Sequence, residues 1–299
     1  MSRLLLARGS RGALVEKVQD ALKFEARDID GIYGGQTESG VRDFQTKSGQ
    51  TTTGQVDTET WTMITTLPVP ELFERALQLT ADFEGHGFTL AQGNFDGAGI
   101  TWGIIGFTLK GGELSGIVLE INRSNPDLVK LAFAELTPKL LEVMSAPSST
   151  QIEFADSISI GTKKATLAEP WRSAFALFGA IAEVQLVQLR RAREKYFNPA
   201  VGTARRLGLT TEQGIALCFD IHVQNGGVKK SIETSLHGQG FNTQEDLRVV
   251  LANSVADSSR PKYREDVRSR KLTIATGSGT VHGANFTLAS WGLDEIEVT

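Results

Sequence analysis

Along most of the chain, apolar residues recur at helical spacing in segments that short polar turns separate. Over residues 8–66 this spacing predicts three short helices, joined by turns rich in glycine and threonine. Two prolines in the following TTLPVP segment, residues 65–70, predict a short and fairly stiff linker. We therefore expect a small three-helix domain over residues 1–66 and a second domain over residues 71–299.

The second domain is also predicted to be mostly helical. A glycine-rich run ahead of residue 108 predicts a small β-hairpin, residues 145–168 are polar and predict an exposed loop, and the basic residues of 260–274 predict a solvated helix face. The predicted fold class is therefore mostly α, within the α+β class. The predicted helices cover, approximately, residues 71–83, 126–144, 170–196, 198–207, 210–225 and 243–256.

Composition narrows the classes of function. Hydrophobic residues make up 40% of the 299 residues and charged residues 22%, which argues against large-scale disorder. The formal net charge of −4 argues against nucleic acid as a partner, and no apolar run is long enough for membrane insertion. Cys218 is the single cysteine and the four histidines show no metal-ligand spacing, so we expect neither a metal nor another cofactor.

Two carboxylates flank the glycine-rich run. Glu84 follows the predicted helix 71–83 and precedes Gly85, where a helix commonly ends. At that position the unpaired carbonyls and the helix dipole favour a protonated carboxyl, as a general acid requires. Asp96 stands at the mouth of the predicted hairpin. One protonated and one ionised carboxyl on facing elements are the requirement for glycoside hydrolysis.

The small domain carries a resemblance to a known family. The segments G-S-R-G, V-x-x-V-Q-x-A-L, D-G-I-Y-G-x-x-T, V-x-x-F-Q and T-G-x-V-D-x-x-T-W follow one another over residues 9–61. In this order they resemble the peptidoglycan-binding domain type 1 family. The resemblance implies a non-catalytic anchor whose partner is bacterial peptidoglycan; the alternative is a three-helix interaction domain that holds another ligand.

The hairpin carries a second resemblance. The segment D-G-A-G-I-T-W-G-I-I-G-F, residues 96–107, resembles the hairpin motif of chitosanases in the lysozyme-like superfamily. The resemblance implies a lysozyme-like fold in which Glu84 is the acid, Asp96 is the base and Thr101 holds the attacking water. The segment between the two carboxylates is shorter than in typical chitosanases, so the resemblance does not carry over a substrate preference.

Three further polar residues are candidates for substrate binding. His86 follows the predicted acid by two residues. His222 and Gln224, with Asp220 just before them, precede a Gly-Gly stop at the end of a predicted helix. That helix end is expected to close the other wall of a cleft.

Together these features predict a peptidoglycan hydrolase, a muramidase that cleaves the β-1,4 bond between N-acetylmuramic acid and N-acetylglucosamine with inversion. The alternatives are a chitosanase or chitinase-like hydrolase and a non-catalytic wall-binding protein. We expect a monomer, made in the cytoplasm without a signal peptide and released to the cell wall through a holin or a secretion system. A phage endolysin and a delivered bacterial effector both fit this layout.

Overall fold

The computed structural model describes residues 2–85 and 87–298. Of these, 61% are helical and 9% lie in strands, which confirms the predicted mostly helical α+β class. The helices are α1 (Ala13–Ala21), α2 (Gly35–Lys47), α3 (Thr58–Thr65), α4 (Leu72–Glu84), α5 (Glu113–Ser124), α6 (Pro126–Phe133), α7 (Thr137–Met144), α8 (Ser148–Ser157), α9 (Trp171–Ala180), α10 (Ala182–Ala192), α11 (Asn198–Leu207), α12 (Glu212–Asn225), α13 (Lys230–His237), α14 (Gln244–Asp257) and α15 (Arg264–Thr276). The strands are β1 (Leu4–Leu6), β2 (Val56–Asp57), β3 (Ala91–Gln92), β4 (Thr101–Trp102), β5 (Phe107–Thr108), β6 (Ser159–Ile160), β7 (Thr166–Leu167), β8 (Ser278–Val281) and β9 (Ala284–Thr287).

The chain forms two compact units. One combines Met1–Phe83 with Tyr196–Thr299, and the other is Glu84–Lys195. The division into domains 1–66 and 71–299 that was made from the sequence stays a prediction. Among the described helices, none combines the length and the apolar character needed to cross a bilayer.

The N-terminal module, residues 2–66, has the three predicted helices and a hydrophobic core of its own. Strand β1 pairs with β2 in antiparallel fashion beside helices α1, α2 and α3. The core is made of apolar side chains with 7% exposure or less: Leu5, Leu6, Leu14, Val15, Val18, Tyr33, Val41, Val56, Trp61 and Ile64.

A buried carboxylate joins this module to the rest of its unit. Glu212, at the start of α12, accepts hydrogen bonds from Arg3 at 2.7 Å and from Arg75 of α4 at 2.8 Å. Both arginines also donate to the carbonyl oxygen of Gly292. Burial raises the pKa of Glu212, but the hydrogen bonds from Arg75 and Arg3 outweigh it, so its pKa lies below the ordinary value.

The sheet of the Glu84–Lys195 unit has five two-residue strands in the order β5-β4-β3-β7-β6, all antiparallel. The glycine-rich run supplies β3, β4 and β5, so it is a meander of three strands and not a single hairpin. Residues 145–168, expected to be an exposed loop, form helix α8 and strands β6 and β7. Gln92 of β3 lies opposite Thr166 of β7, a pairing too distant in sequence for local patterns to reveal.

Two long helices of the prediction are each broken in the structure. The segment 126–144 divides at Ala134, whose φ is +43°, because Pro138 lacks the N–H that would continue the helix. The segment 170–196 divides at Ile181, which has extended backbone between α9 and α10. Helices α11, α12 and α14 lie close to their predicted positions, and the Thr211 side chain caps the start of α12.

The basic segment 260–274 is not the solvated face that its composition predicts. Arg270 and Lys271 of α15 are almost fully buried and hydrogen-bond the carboxylate of Asp220 on α12. Burial alone raises the pKa of Asp220, but the charges of Arg270 and Lys271 lower it to about 2. A carboxylate fifty residues away in sequence therefore allows these two cations to be buried.

We expect Asp220→Asn to destabilise the protein by about 3–5 kcal/mol, because it removes the carboxylate that faces two buried cations. Urea unfolding of both chains measures the difference. The pKa of Asp220 falls from its ordinary value of 3.8 to about 2 on folding. The stabilising contribution is therefore complete above pH 4 and declines as pH falls toward 2.

The matched control is Asp127→Asn, which removes an exposed carboxylate paired with Lys130 at 3.2 Å. This variant should unfold at almost the same urea concentration as the natural chain, because exposed ion pairs contribute little. Equal effects of the two substitutions would contradict the role assigned to the buried Asp220 cluster.

Candidate active site

The predicted acid, Glu84, is the last residue of helix α4 and is half-buried. Gly85 follows with a φ of +65°, a backbone conformation that glycine adopts without strain and that ends the helix. The structure therefore places Glu84 where the pattern of apolar residues and the following glycine predict it.

The predicted base, Asp96, lies in the loop 93–100 that connects β3 and β4, and its side chain is exposed. Its Oδ1 accepts a hydrogen bond from the Ala98 N–H at 3.0 Å, an Asx turn in which the carboxylate holds its own loop. Gly97 and Gly99 have φ values of +84° and +82°. The positive φ at Gly99 favours glycine, and a Cβ there would in addition require the end of the Ile152 side chain, at 2.9 Å, to shift.

Thr101 begins the central strand β4, where it lies opposite Gln92 on one side and Thr108 on the other. The next residue, Trp102, stacks on Phe178 at 5.5 Å between ring centroids. Successive side chains of a strand point to opposite faces. Because Trp102 faces helix α9, Thr101 projects from the other face of the sheet.

Gln188 of α10 is a residue that the sequence analysis did not single out. Its fully buried side chain donates to the Phe88 carbonyl at 3.2 Å and accepts from the Ile104 N–H at 3.0 Å. It therefore joins the segment that follows Glu84 to the turn that follows Thr101. A polar residue on an otherwise amphipathic helix carries no local signal for such a role.

The remaining candidates for substrate binding either belong to the unit that combines residues 1–83 and 196–299 or lie outside the described residues. His222 is half-buried and shares a hydrogen bond of 2.9 Å between its Nε2 and Thr203 Oγ1; burial lowers its pKa. Gln224 accepts from Lys271 Nζ at 2.7 Å and donates to Asp266 at 3.2 Å. His86 lies outside the described residues. The substrate-binding roles of His86, His222 and Gln224 stay predictions.

Glu84, Asp96 and Thr101 belong to the same Glu84–Lys195 unit, with Glu84 at the end of α4, Asp96 in the loop 93–100 and Thr101 at the start of β4. This arrangement supplies two carboxyls and a hydroxyl on separate backbone elements, which suits acid–base hydrolysis. Over residues 2–85 and 87–298, no group of three histidine, cysteine, aspartate or glutamate side chains is arranged to hold a metal ion.

Comparison with known proteins identifies two families in the chain. Residues 11–64 match the family described as "Putative peptidoglycan binding domain", and residues 80–246 match glycosyl hydrolase family 46. No curated protein matches the sequence.

Solved structures with a similar fold are chitosanases. A family 46 chitosanase of Gynuella sunshinyii in complex with chitotetraose has a TM-score of 0.54 and 18% identity, over 74% of this chain and 98% of that chain. A mutant chitosanase of Bacillus subtilis complexed with 6 GlcN has a TM-score of 0.51 and 16% identity, over 72% of this chain and 96% of that chain. At these identities the likeness is one of fold.

The family match includes all three of these candidate residues. It begins within helix α4 ahead of Glu84 and includes the loop of Asp96 and the strand of Thr101. It covers residues 80–246, more than half of the 299 residues. The chain therefore belongs to glycosyl hydrolase family 46 and is a glycoside hydrolase, joined to an N-terminal domain of a peptidoglycan-binding family.

Proposed function

We propose that this glycoside hydrolase is a muramidase, which acts as a monomer on the β-1,4 bond between N-acetylmuramic acid and N-acetylglucosamine of the bacterial cell wall. The observation that carries the proposal is the presence of a wall-binding module on the same chain as a family 46 hydrolase. Action on the wall in the periplasm or outside the cell, after release by a holin or a secretion system, is part of the proposal.

The packing of the module supports a joint role in wall attack. The Leu14 N–H of α1 donates to Gln78 Oε1 of α4 at 2.7 Å, and Glu212 binds both Arg3 of the module and Arg75 of α4. The module thus packs against the helix that ends with Glu84. A wall-bound module in this arrangement keeps the hydrolase at its polymeric substrate without a long flexible tether.

The chemistry assigned to the site is a single displacement. Glu84 donates its proton to the glycosidic oxygen as the bond to the anomeric carbon breaks. Asp96 accepts a proton from the water that attacks this carbon from the opposite side, and Thr101 hydrogen-bonds that water. The new sugar hydroxyl is axial, so the configuration at the anomeric carbon is inverted.

A polar hollow on the module is the proposed contact with the wall. It has a volume of about 360 Å³ and lies beside the start of α3. Asp57 and Glu59 contribute carboxylates, Gln50 contributes an amide and Met63 contributes an apolar edge. Carboxylates and amides can hydrogen-bond the hydroxyls and amino groups of a cell-wall fragment, and the apolar edge can contact a sugar face.

A chitosanase is the second candidate. It is favoured by the family 46 match and by the fold shared with chitosanases that were solved with chitotetraose and with 6 GlcN. Chitosan is a polycation, however, and the Glu84–Lys195 unit contains nearly equal numbers of acidic and basic residues. The unit therefore lacks the strong negative charge that would attract such a chain.

We expect Glu84→Gln to lower the rate of dye release from labelled sacculi by about 10²–10⁴-fold, since an amide cannot donate the proton that the leaving oxygen needs. The same pair of proteins is then assayed on soluble chitosan. Loss of sacculus lysis together with retained folding, measured by circular dichroism, supports the proposal. A variant that lyses sacculi at the natural rate would remove Glu84 from the mechanism, and activity on chitosan alone would select the second candidate.

The stereochemistry of the product tests the assignment of Asp96 as base. Inverting glycosidases keep their carboxyls about 6.5–9.5 Å apart to admit a water, whereas retaining enzymes need about 5–5.5 Å. Proton NMR of freshly released product should show the α-anomer first. An initial β-anomer would establish retention, and anhydro-muramyl ends would establish transglycosylation; either result contradicts the proposed displacement.

We expect full-length Glu84→Gln to co-sediment with purified sacculi, because the module and its hollow are intact. Adding Glu59→Arg should weaken this binding about tenfold, the effect of losing one contact worth roughly 1.4 kcal/mol. The control substitution is Glu25→Arg, an exposed carboxylate of the same module that does not line the hollow. If both arginine variants sediment equally well, the hollow is not the wall-binding surface.

A further inference from the structure

The loop that carries Asp96 is closed by a side chain of its own. Asn94 Oδ1 accepts a hydrogen bond from the Gly99 N–H at 2.9 Å. This contact spans five residues and encloses the Asp96 turn between its two ends. The Asp96 side chain is exposed, and its hydrogen bond to the Ala98 N–H lies within this same turn. The position of its carboxylate therefore depends on the contacts that fix the turn to the rest of the unit.

The same asparagine fastens the loop to helix α8. Its Nδ2 donates to Asp156 Oδ1 at 3.2 Å, and its backbone N–H donates to Ser159 Oγ at 2.9 Å. Ser159 Oγ in turn donates to the Ala155 carbonyl at 2.6 Å. The preceding Gly93 packs so closely on this segment that an added Cβ would overlap the carbonyl oxygen of Lys164.

The acceptor on helix α8 is itself held in its charged form. Lys164 Nζ hydrogen-bonds Asp156 Oδ2, and this contact, with a smaller one from Asn94, lowers the pKa of Asp156. The hydrogen bond from Asn94 is therefore made to a carboxylate, the stronger class of acceptor. The chain of contacts runs from Lys164 through Asp156 and Asn94 to the Gly99 N–H.

We propose that Asn94 is a positioning residue, which holds the Asp96 loop in its reactive geometry by joining Gly99 to Asp156. The inference rests on the proposed role of Asp96 as the base. A displacement of about 1 Å at a reacting group can lower a rate by 10²-fold, so a loop anchor can act on catalysis without contacting substrate.

Three variants separate the effect of the hydrogen bond between Asn94 and Asp156 from the effect of a change in charge. Asn94→Asp places two carboxylates against each other and removes the donor. Asp156→Asn keeps an acceptor for Asn94 because its amide oxygen can take the place of Oδ1, while its Nδ2 then faces Lys164 Nζ and that contact is lost. The double variant Asn94→Asp/Asp156→Asn has the same net charge as the natural chain and restores the contact with donor and acceptor exchanged.

We expect Asn94→Asp to lower kcat about 10–100-fold with KM changed less than about threefold. Asp156→Asn and the double variant should keep kcat within about threefold of the natural chain. The thermal unfolding midpoint of Asn94→Asp should fall by only about 2–4 °C, as expected for the loss of one hydrogen bond. Assays use soluble uncrosslinked peptidoglycan strands and soluble chitosan. Asn94→Ala, which removes both contacts without adding charge, gives the same test if Asn94→Asp does not fold.

The result that overturns the inference is full kcat in Asn94→Asp or Asn94→Ala, or a double variant as impaired as Asn94→Asp. The control is Asn285→Asp, which alters an asparagine that accepts from Thr280 Oγ1 at 2.9 Å in the other unit and should leave kcat unchanged. Asp96→Asn separates this inference from the proposed function. If Asp96→Asn is active, the assignment of the base fails and the inference fails with it; if it is inactive while Asn94→Asp is fully active, only the inference fails.

Discussion

The buried amide of Gln188 is the contact that holds the backbone on both sides of the candidate site. The strands that carry or flank the site are two residues long, and so short a sheet has little stability of its own. Gln188 holds the backbone on both sides, at Phe88 after Glu84 and at Ile104 after Thr101. Gly179 of α9 lets the Phe88 carbonyl approach the helix more closely than any Cβ would allow. Helices α9 and α10 thus supply contacts that support these short strands.

The two buried carboxylates, Asp220 and Glu212, are stabilised in the same way. Each deeply buried carboxylate is surrounded by cations that outweigh its loss of hydration, Asp220 by Arg270 and Lys271, and Glu212 by Arg3 and Arg75. These clusters lie in the unit that contains the wall-binding module. Asp96, by contrast, is exposed, and its carboxylate accepts a hydrogen bond from the Ala98 N–H of its own turn. A base must exchange its proton with water, so exposure suits its proposed role while burial suits the structural carboxylates.

Local signals predicted the elements on which Glu84 and Thr101 lie better than they predicted the contacts that hold those elements. Glu84 ends its helix because Gly85 follows, and Thr101 lies in a strand within a glycine-rich run; both facts depend on a few adjacent residues. Gln188, Asn94 and the buried Arg270 could not be predicted, because their partners lie far along the chain or in a loop without periodicity. Strand β7 was missed for the same reason, since its partner β3 is about seventy residues earlier.

A digest of purified sacculi tests most directly whether this family 46 hydrolase, with its wall-binding module, cleaves the glycan of peptidoglycan as proposed. Purified sacculi are digested with the full chain, the products are reduced with borohydride, and the new reducing ends are identified by mass spectrometry. We expect muramitol at these ends, because a muramidase leaves N-acetylmuramic acid as the reducing sugar. Glucosaminitol ends, or no soluble product from sacculi beside rapid degradation of chitosan, would contradict it.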